Sequence, residues 1–198
     1  MRRLSTGVLL VSAAAIGYEL LLMRLLSIVQ WHHFAYMIIS LALLGYGVSG
    51  TFIALARPWL QARFELAFAT SALCFCVSMI ACFAIGQHIP FNALEVVWDP
   101  WQFAYLAILY LLFFVPFFFA ATCIGLAFTC RSDVIHRIYF FDLLGAGSGA
   151  LLIIGLLFIA PPAASLIMLA LLALLASFIV ATSTPARRAL FTAQAVAM

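Results

Sequence analysis

Six long apolar runs dominate the sequence, and each is long enough to cross a lipid bilayer. A transmembrane helix needs about 20 predominantly apolar residues. The runs cover residues 8–30, 34–56, 66–88, 102–130, 138–160 and 164–182. Short polar turns and one longer segment, residues 89–102, separate them, and we expect that segment to lie at the membrane interface. The pattern predicts an all-α bundle of six transmembrane helices in one domain, residues 1–182, followed by a short cytoplasmic tail, residues 183–198.

The composition agrees with a lipid environment. The chain has 198 residues, of which 68% are hydrophobic and only 8% are charged, whereas soluble domains carry roughly 25% charged residues. A soluble fold of this size has no interior large enough for so much apolar surface. The first run continues past Glu19 to Val29, which is too long for the apolar region of a signal peptide, so we expect it to remain as an anchor.

Arginine placement predicts the orientation of the helices. The nine basic residues are all arginine. Eight of them lie before the first run or after the second, fourth and sixth runs: Arg2, Arg3, Arg57, Arg63, Arg131, Arg137, Arg187 and Arg188. If six helices cross the membrane, all eight fall on one side, and the positive-inside rule makes that side cytoplasmic. Both termini are then cytoplasmic. Arginines scattered in pairs suit an anionic leaflet and do not form a nucleic-acid surface.

Glycines in the fifth run have two interpretations. The segment FFDLLGAGSGALL, residues 140–152, resembles a nucleotide-binding glycine loop, but that loop needs a preceding strand and a later acidic residue. Here one apolar run surrounds it, and Asp142 is the last acidic residue of the chain. We therefore expect Gly145 and Gly149 to form a small-residue face for close helix packing. Gly45 and Ser49 offer a similar face on the second run.

The cysteines and histidines give little sign of a metal or cofactor. The five cysteines lie in or at the ends of runs and form no Cys-x-x-Cys pair, so we expect free, buried thiols. His32, His33 and His88 lie at the predicted outer ends, near acidic residues of the 89–102 segment. Their spacing matches no ligand signature, so they are weak metal candidates. No catalytic group is predicted.

Two charged residues interrupt the first run. Glu19 and Arg24 are five residues apart, which turns a helix by about 140°, so they are poor partners for each other. Glu19 is the deeper of the two, and we expect it to be neutral and hydrogen-bonded to Tyr46 or Ser12. Asp142 lies about one turn inside the fifth run, near Arg137 and Tyr139. Such groups either hold helices together or mark a site for a cation or proton, and both interpretations stay open.

Three segments resemble one protein family. They are GYELLLMRLLSIV (17–29), HFAYMIISLALLGYGVSG (33–50) and RIYFFDLLGAGSGALL (137–152). They are similar to the membrane domain at the N-terminus of bacterial spermidine-synthase-like proteins, where it precedes a soluble aminopropyltransferase-like Rossmann domain. The resemblance covers nearly the whole chain and implies a bacterial inner-membrane protein. The matching positions are Tyr18, Glu19, Arg24, Tyr139, Asp142 and Gly145. With Tyr46, the ionisable residues of this set form the predicted polar cluster in the membrane interior.

The resemblance does not bring the family's chemistry with it. The residues after Ala181 are too few for the soluble domain, so we expect no transferase activity from this chain. The leading hypothesis is an interaction or assembly module whose partners are the bilayer, a soluble transferase-like domain, other membrane subunits or a second copy. The alternative is a small transporter or ion pathway resembling half of a major-facilitator fold and acting as a dimer, with Glu19 in the pathway. The Gly-x-x-x-Asp-Arg pattern of that superfamily is missing after the second run.

Overall fold

The computed structural model describes residues 2–29 and 33–181, and this part of the chain is helical apart from turns. Its elements are α1 (Arg2–Val29), α2 (His33–Ala62), α3 (Phe64–Gly86), α4 (Trp101–Cys130), α5 (Ile135–Ile159) and α6 (Pro162–Val180), with a 3₁₀ turn at Ser132–Val134. All six helices are long and apolar enough to cross a membrane. The predicted all-α class and the number of helices are confirmed for the described residues.

Several helices continue beyond the apolar runs that predicted them. The segment ARPWLQARFE, residues 56–65, is almost wholly helical, because α2 passes through Pro58 to Ala62 and α3 begins at Phe64. The predicted polar turn there is wrong. Apolar counting finds only the part of a helix that suits hydrocarbon, whereas backbone hydrogen bonding continues into polar residues that reach water. A proline inside such a helix removes one hydrogen bond without ending it.

Prolines also separate the last two helices. α5 ends at Ile159, Pro161 occupies the position before α6, and Pro162 is its first residue. Proline suits the first helical position because its missing N–H would have no partner there. The α5–α6 connection is therefore very short, and it turns the chain back along the bundle.

The bundle is built around α1. This helix packs against α5 and α6, and also contacts α2 and α4, while α3 lies between α4 and α6. Its side chains supply much of the core, including the fully buried Val8, Ala14, Tyr18 and Leu21. α5 is the least enclosed helix, and its main neighbour is α1. Because α2 packs chiefly on α4, a gap is left between α2 and α5.

The arginine-bearing segments meet at one end of the bundle. Arg3 at the start of α1, Glu65 at the start of α3, Arg131 after α4 and Val180 at the end of α6 all line one small pocket. The opposite end carries the turn segment between α3 and α4. There the buried side chain of Gln102 accepts a hydrogen bond from the backbone N–H of Asn92 at 2.9 Å and donates to the Asp99 carboxylate at 3.2 Å. Gln102 thereby ties this segment to the first turn of α4.

Candidate functional site

A groove of about 530 Å³ lies between α2 and α5, with α4 as its floor. Most of its lining is apolar. Its polar lining residues are Tyr46, Ser49, Arg57, Thr129, Ser132 and Asp142. Tyr46 lies near the middle of α2, and Arg57 and Ser132 lie at the arginine-rich end. The groove therefore leads from that end toward the middle of the bundle.

The carboxyl group of Asp142 is held in place by α1. The hydroxyl of Ser12, which is buried, donates a hydrogen bond to Oδ1 of Asp142. Arg137 and Tyr139, which the sequence places near Asp142 and which could have satisfied its carboxyl group, are not its hydrogen-bond partners. The guanidinium of Arg137 lies 5.9 Å from the ring centroid of Phe141 instead. One carboxyl oxygen of Asp142 is thus bonded to α1, while the residue also lines the groove.

Glu19 lies on α1, about 15 Å from the helix end at Val29 at 1.5 Å per residue. It is half-buried. Among the residues that the structure describes, Glu19 has no hydrogen bond and no ion pair. The expectation that Ser12 bonds Glu19 is wrong, because that hydroxyl is committed to Asp142. Tyr46, the other expected partner, is not hydrogen-bonded to Glu19.

Tyr46 is a third polar group in this part of the bundle. Its phenol is within electrostatic range of the carboxyl groups of Asp142 and Glu19. It is also 42% exposed and lines the groove, so its hydroxyl is accessible to a ligand there. The helices α1, α2 and α5 thus bring one carboxyl, one phenol and a second carboxyl to the same region of the bundle.

The remaining members of the predicted polar cluster lie elsewhere. Tyr18 is fully buried on a face of α1 turned toward α3 and α4, against the rings of Phe75 and Phe117 at centroid distances of 6.5 and 5.5 Å. Its hydroxyl has no hydrogen-bond partner among the described residues. Arg24 is exposed. Tyr139 is 54% exposed, with its ring 6.5 Å from that of Phe128 in the groove wall.

Three of the four predicted packing residues lie at close contacts with another helix, and the fourth lines the groove. Gly145 and Gly149 face α1: a Cβ atom on Gly145 would overlap the carbonyl oxygen of Leu9, and one on Gly149 would lie 2.6 Å from the Cα of Ala13. Gly45 faces α4, where a Cβ would lie 2.7 Å from that of Phe117. Ser49 lines the groove, and its hydroxyl donates to the Tyr46 carbonyl at 3.0 Å.

The residues that the structure describes do not assemble a metal site. His32 lies outside the described residues, His33 begins α2, and the ring of exposed His88 lies 2.8 Å from the Ala84 carbonyl oxygen. Within residues 2–29 and 33–181, no three potential metal ligands of the His, Cys, Asp and Glu types come together.

All five cysteines are free, but not all are buried as expected. Cys76, Cys82 and Cys123 are buried, whereas Cys74 is exposed and Cys130 is half-exposed. Cys74 sits on an outward face of α3 because helix rotation places its neighbours Leu73 and Phe75 toward the bundle.

The groove is suited to binding a proton or a small cation. Oxygen atoms of carboxyl, phenol and hydroxyl groups are hard ligands, and the one carboxyl group that lines the groove, that of Asp142, supplies negative charge when ionised. The sequence reasoning missed the Ser12–Asp142 bond. A usable signal existed, because α1 and α5 are both odd-numbered, run in the same direction, and carry these residues at similar distances from their first residues.

Comparison with protein-family models, with curated proteins and with solved structures found no match for this chain.

Proposed function

We propose that the chain is a multi-pass membrane protein, with both termini in the cytoplasm, whose α2–α5 groove is a binding site or pathway for a proton or small cation. The main support for this proposal is the position of Asp142 in the lining of the groove. Asp142 is half-buried and lines an open groove rather than being fully enclosed. A carboxyl group kept only for helix packing is expected to have all of its hydrogen bonds made by neighbouring side chains. Ionisable residues inside membrane helices commonly mark ion pathways and proton relays.

Charge in the middle of the groove supports a positively charged ligand. Asp142 lines the groove, and no arginine or histidine is paired with Glu19 or Asp142 in residues 2–29 and 33–181. Arg57 lines the same groove toward the arginine-rich end. A proton entering there meets hydroxyl groups of Ser132 and Thr129 before Asp142. This order of groups suits stepwise proton movement between hydrogen-bonding side chains.

Proton flux into vesicles tests the proposal directly. Purified protein is reconstituted into liposomes that contain a pH-sensitive dye, and the internal pH is followed after an external acid pulse. We expect faster acidification than in protein-free liposomes, and Asp142→Asn should lower that rate at least several-fold. Asp133→Asn is the matched control, because Asp133 is an exposed aspartate in the 3₁₀ turn and does not line the groove. A wild-type rate equal to that of empty liposomes, or equal loss in both variants, contradicts the pathway.

A second candidate function has its own supporting observation. Gly47 and Gly50 of α2 and Gly147 and Gly155 of α5 have no atom within 4 Å of a Cβ built on them. Small residues on an open helix face let another helix approach closely in lipid. An assembly module of the spermidine-synthase-like type, in a bacterial inner membrane, would use these faces for a second copy or another subunit. In that case a helix, rather than a hydrated ion, occupies the groove.

Thiol labelling separates the two candidates. Gly50→Cys, in a background with the five native cysteines replaced by alanine or serine, places one thiol in the groove. Rapid reaction with a membrane-impermeant maleimide supports a hydrated pathway. Protection from the reagent together with formation of a disulfide-linked dimer supports assembly. Leu151→Cys, at a 75% exposed position of α5 away from the groove lining, reports the reactivity of a lipid-facing thiol.

A further inference from the structure

A separate pocket at the arginine-rich end of the bundle has no role in the proposed pathway. It measures about 100 Å³ and lies where the first turns of α1, α3 and α5 meet the end of α6. This volume is several times the about 10–15 Å³ that a single water needs. The lining residues are Arg3, Leu4, Ser5, Phe64, Glu65, Arg131, Val134, Arg137, Ile138 and Val180.

Three arginines from three different segments line this small volume. Arg3 comes from α1, Arg131 from the end of α4 and Arg137 from α5. The arginines outnumber the single acidic lining residue, Glu65, by two. Arg131 lies over the ring of Phe64 at 5.6 Å, a contact that orients the side chain and leaves its N–H groups able to donate.

The backbone adds to the positive character of the pocket. α1, α3 and α5 all begin here, and the first N–H groups of a helix have no partner within the helix. The residues preceding α3 and α5, Arg63 and Val134, provide no side-chain cap. Aligned peptide dipoles place partial positive charge at these helix starts, which favours an anion.

The pocket also has an apolar wall. Leu4, Phe64, Val134, Ile138 and Val180 line it together with the arginines. A free inorganic anion gains nothing from contact with apolar side chains, whereas the glycerol and upper acyl region of a lipid can pack against them. Basic pockets between transmembrane helices on the cytoplasmic side bind anionic headgroups.

We infer that this pocket binds the phosphate of an anionic phospholipid, with Arg3, Arg131 and Arg137 donating to its oxygens. Guanidinium groups hold phosphate through pairs of parallel hydrogen bonds, which gives the site geometric selectivity over a general surface charge. The bound lipid ties the starts of α1 and α5 to the end of α4. The site is independent of the α2–α5 groove, because the two share no lining residue.

Native mass spectrometry with defined lipids tests the assignment. The full chain is purified in detergent, equilibrated with phosphatidylglycerol or phosphatidylcholine, and scored for lipid that stays bound as collision energy rises. We expect one phosphatidylglycerol to be retained in preference to phosphatidylcholine. Each of Arg131→Gln and Arg3→Gln should weaken that retention about fivefold or more, since one arginine near a phosphate contributes about that factor.

The matched control is Arg63→Gln, which removes the same charge at the same end from an exposed residue that does not line the pocket. It should retain phosphatidylglycerol as the wild type does. Equal loss in Arg63→Gln and Arg131→Gln would show general charge attraction and overturn the site. Displacement of the lipid by millimolar inorganic phosphate would assign the pocket to a free anion and overturn the lipid. Melting temperatures of the variants in phosphatidylcholine alone, expected to match the wild type, show that the fold is intact.

Discussion

The two sides of α5 meet the bundle in opposite ways. Toward α1, Gly145 and Gly149 bring the two backbones into contact and leave no space for a Cβ atom. Toward α2, the same helix borders an open groove that Asp142 lines. The hydrogen bond from Ser12 to Asp142 lies at the junction of these regions. Close packing against α1 holds α5 in position. The polar groups beside this contact are then left available for binding.

The largest effect should come from closing the space at the α1–α5 contact. A leucine at Gly149 cannot fit, because even a Cβ there would lie 2.6 Å from the Cα of Ala13. We expect Gly149→Leu to lower the free energy of unfolding by about 3 kcal/mol or more, since overpacking forces the helices apart. Thermal unfolding in detergent, followed by tryptophan fluorescence, measures the change.

Gly147→Leu is the matched control for that substitution. Gly147 lies two residues away on the same helix, and a Cβ there would meet no atom within 4 Å. Its substitution should change stability by no more than about 0.5 kcal/mol, as for other surface positions. Similar losses for both variants would mean that α5 does not rest on α1 through the face that carries Gly149.

A smaller effect should separate the two carboxyl groups. Asp142→Leu leaves the buried hydroxyl of Ser12 without its acceptor, which should cost about 1–3 kcal/mol. Glu19→Leu leaves no described partner stranded, so we expect stability to stay the same or to rise. Denaturation of both variants in the same detergent gives the comparison. A larger loss for Glu19→Leu than for Asp142→Leu would contradict this assignment of roles.

The smallest effects on stability should come from substituting Tyr18 of α1 and Tyr46 of α2. Tyr18 is fully buried with an unpartnered hydroxyl, so Tyr18→Phe removes a buried polar group that gains nothing from the fold. We expect the free energy of unfolding to stay constant or to rise by up to about 1 kcal/mol. Tyr46→Phe, at the groove, should leave stability unchanged and lower the proton flux. A clear loss of stability in Tyr18→Phe would reveal a partner for its hydroxyl.

Only part of the candidate site could be predicted from the sequence. Small residues four apart identified Gly145 and Gly149 as residues for close packing, but did not identify α1 as the helix they face. The pattern singled out Glu19 and Asp142 because a charge in an apolar run is conspicuous. It grouped Tyr18 with them, although one residue turns a helix by about 100° and directs Tyr18 toward Phe75 and Phe117 in the core. It overlooked the groove entirely, since a gap between helices leaves no local pattern.

The helical class and the number of long apolar helices could be read from the sequence, and the described residues confirm both. These properties follow from local composition, because apolar length and helix hydrogen bonding are set within each segment. The tertiary structure alone decided that α1 is central, that α2 and α5 stay apart, and that Ser12 rather than Arg137 bonds Asp142. These outcomes depend on which helix faces meet, and that choice is made by contacts between residues distant in the chain, such as Gly149 and Ala13.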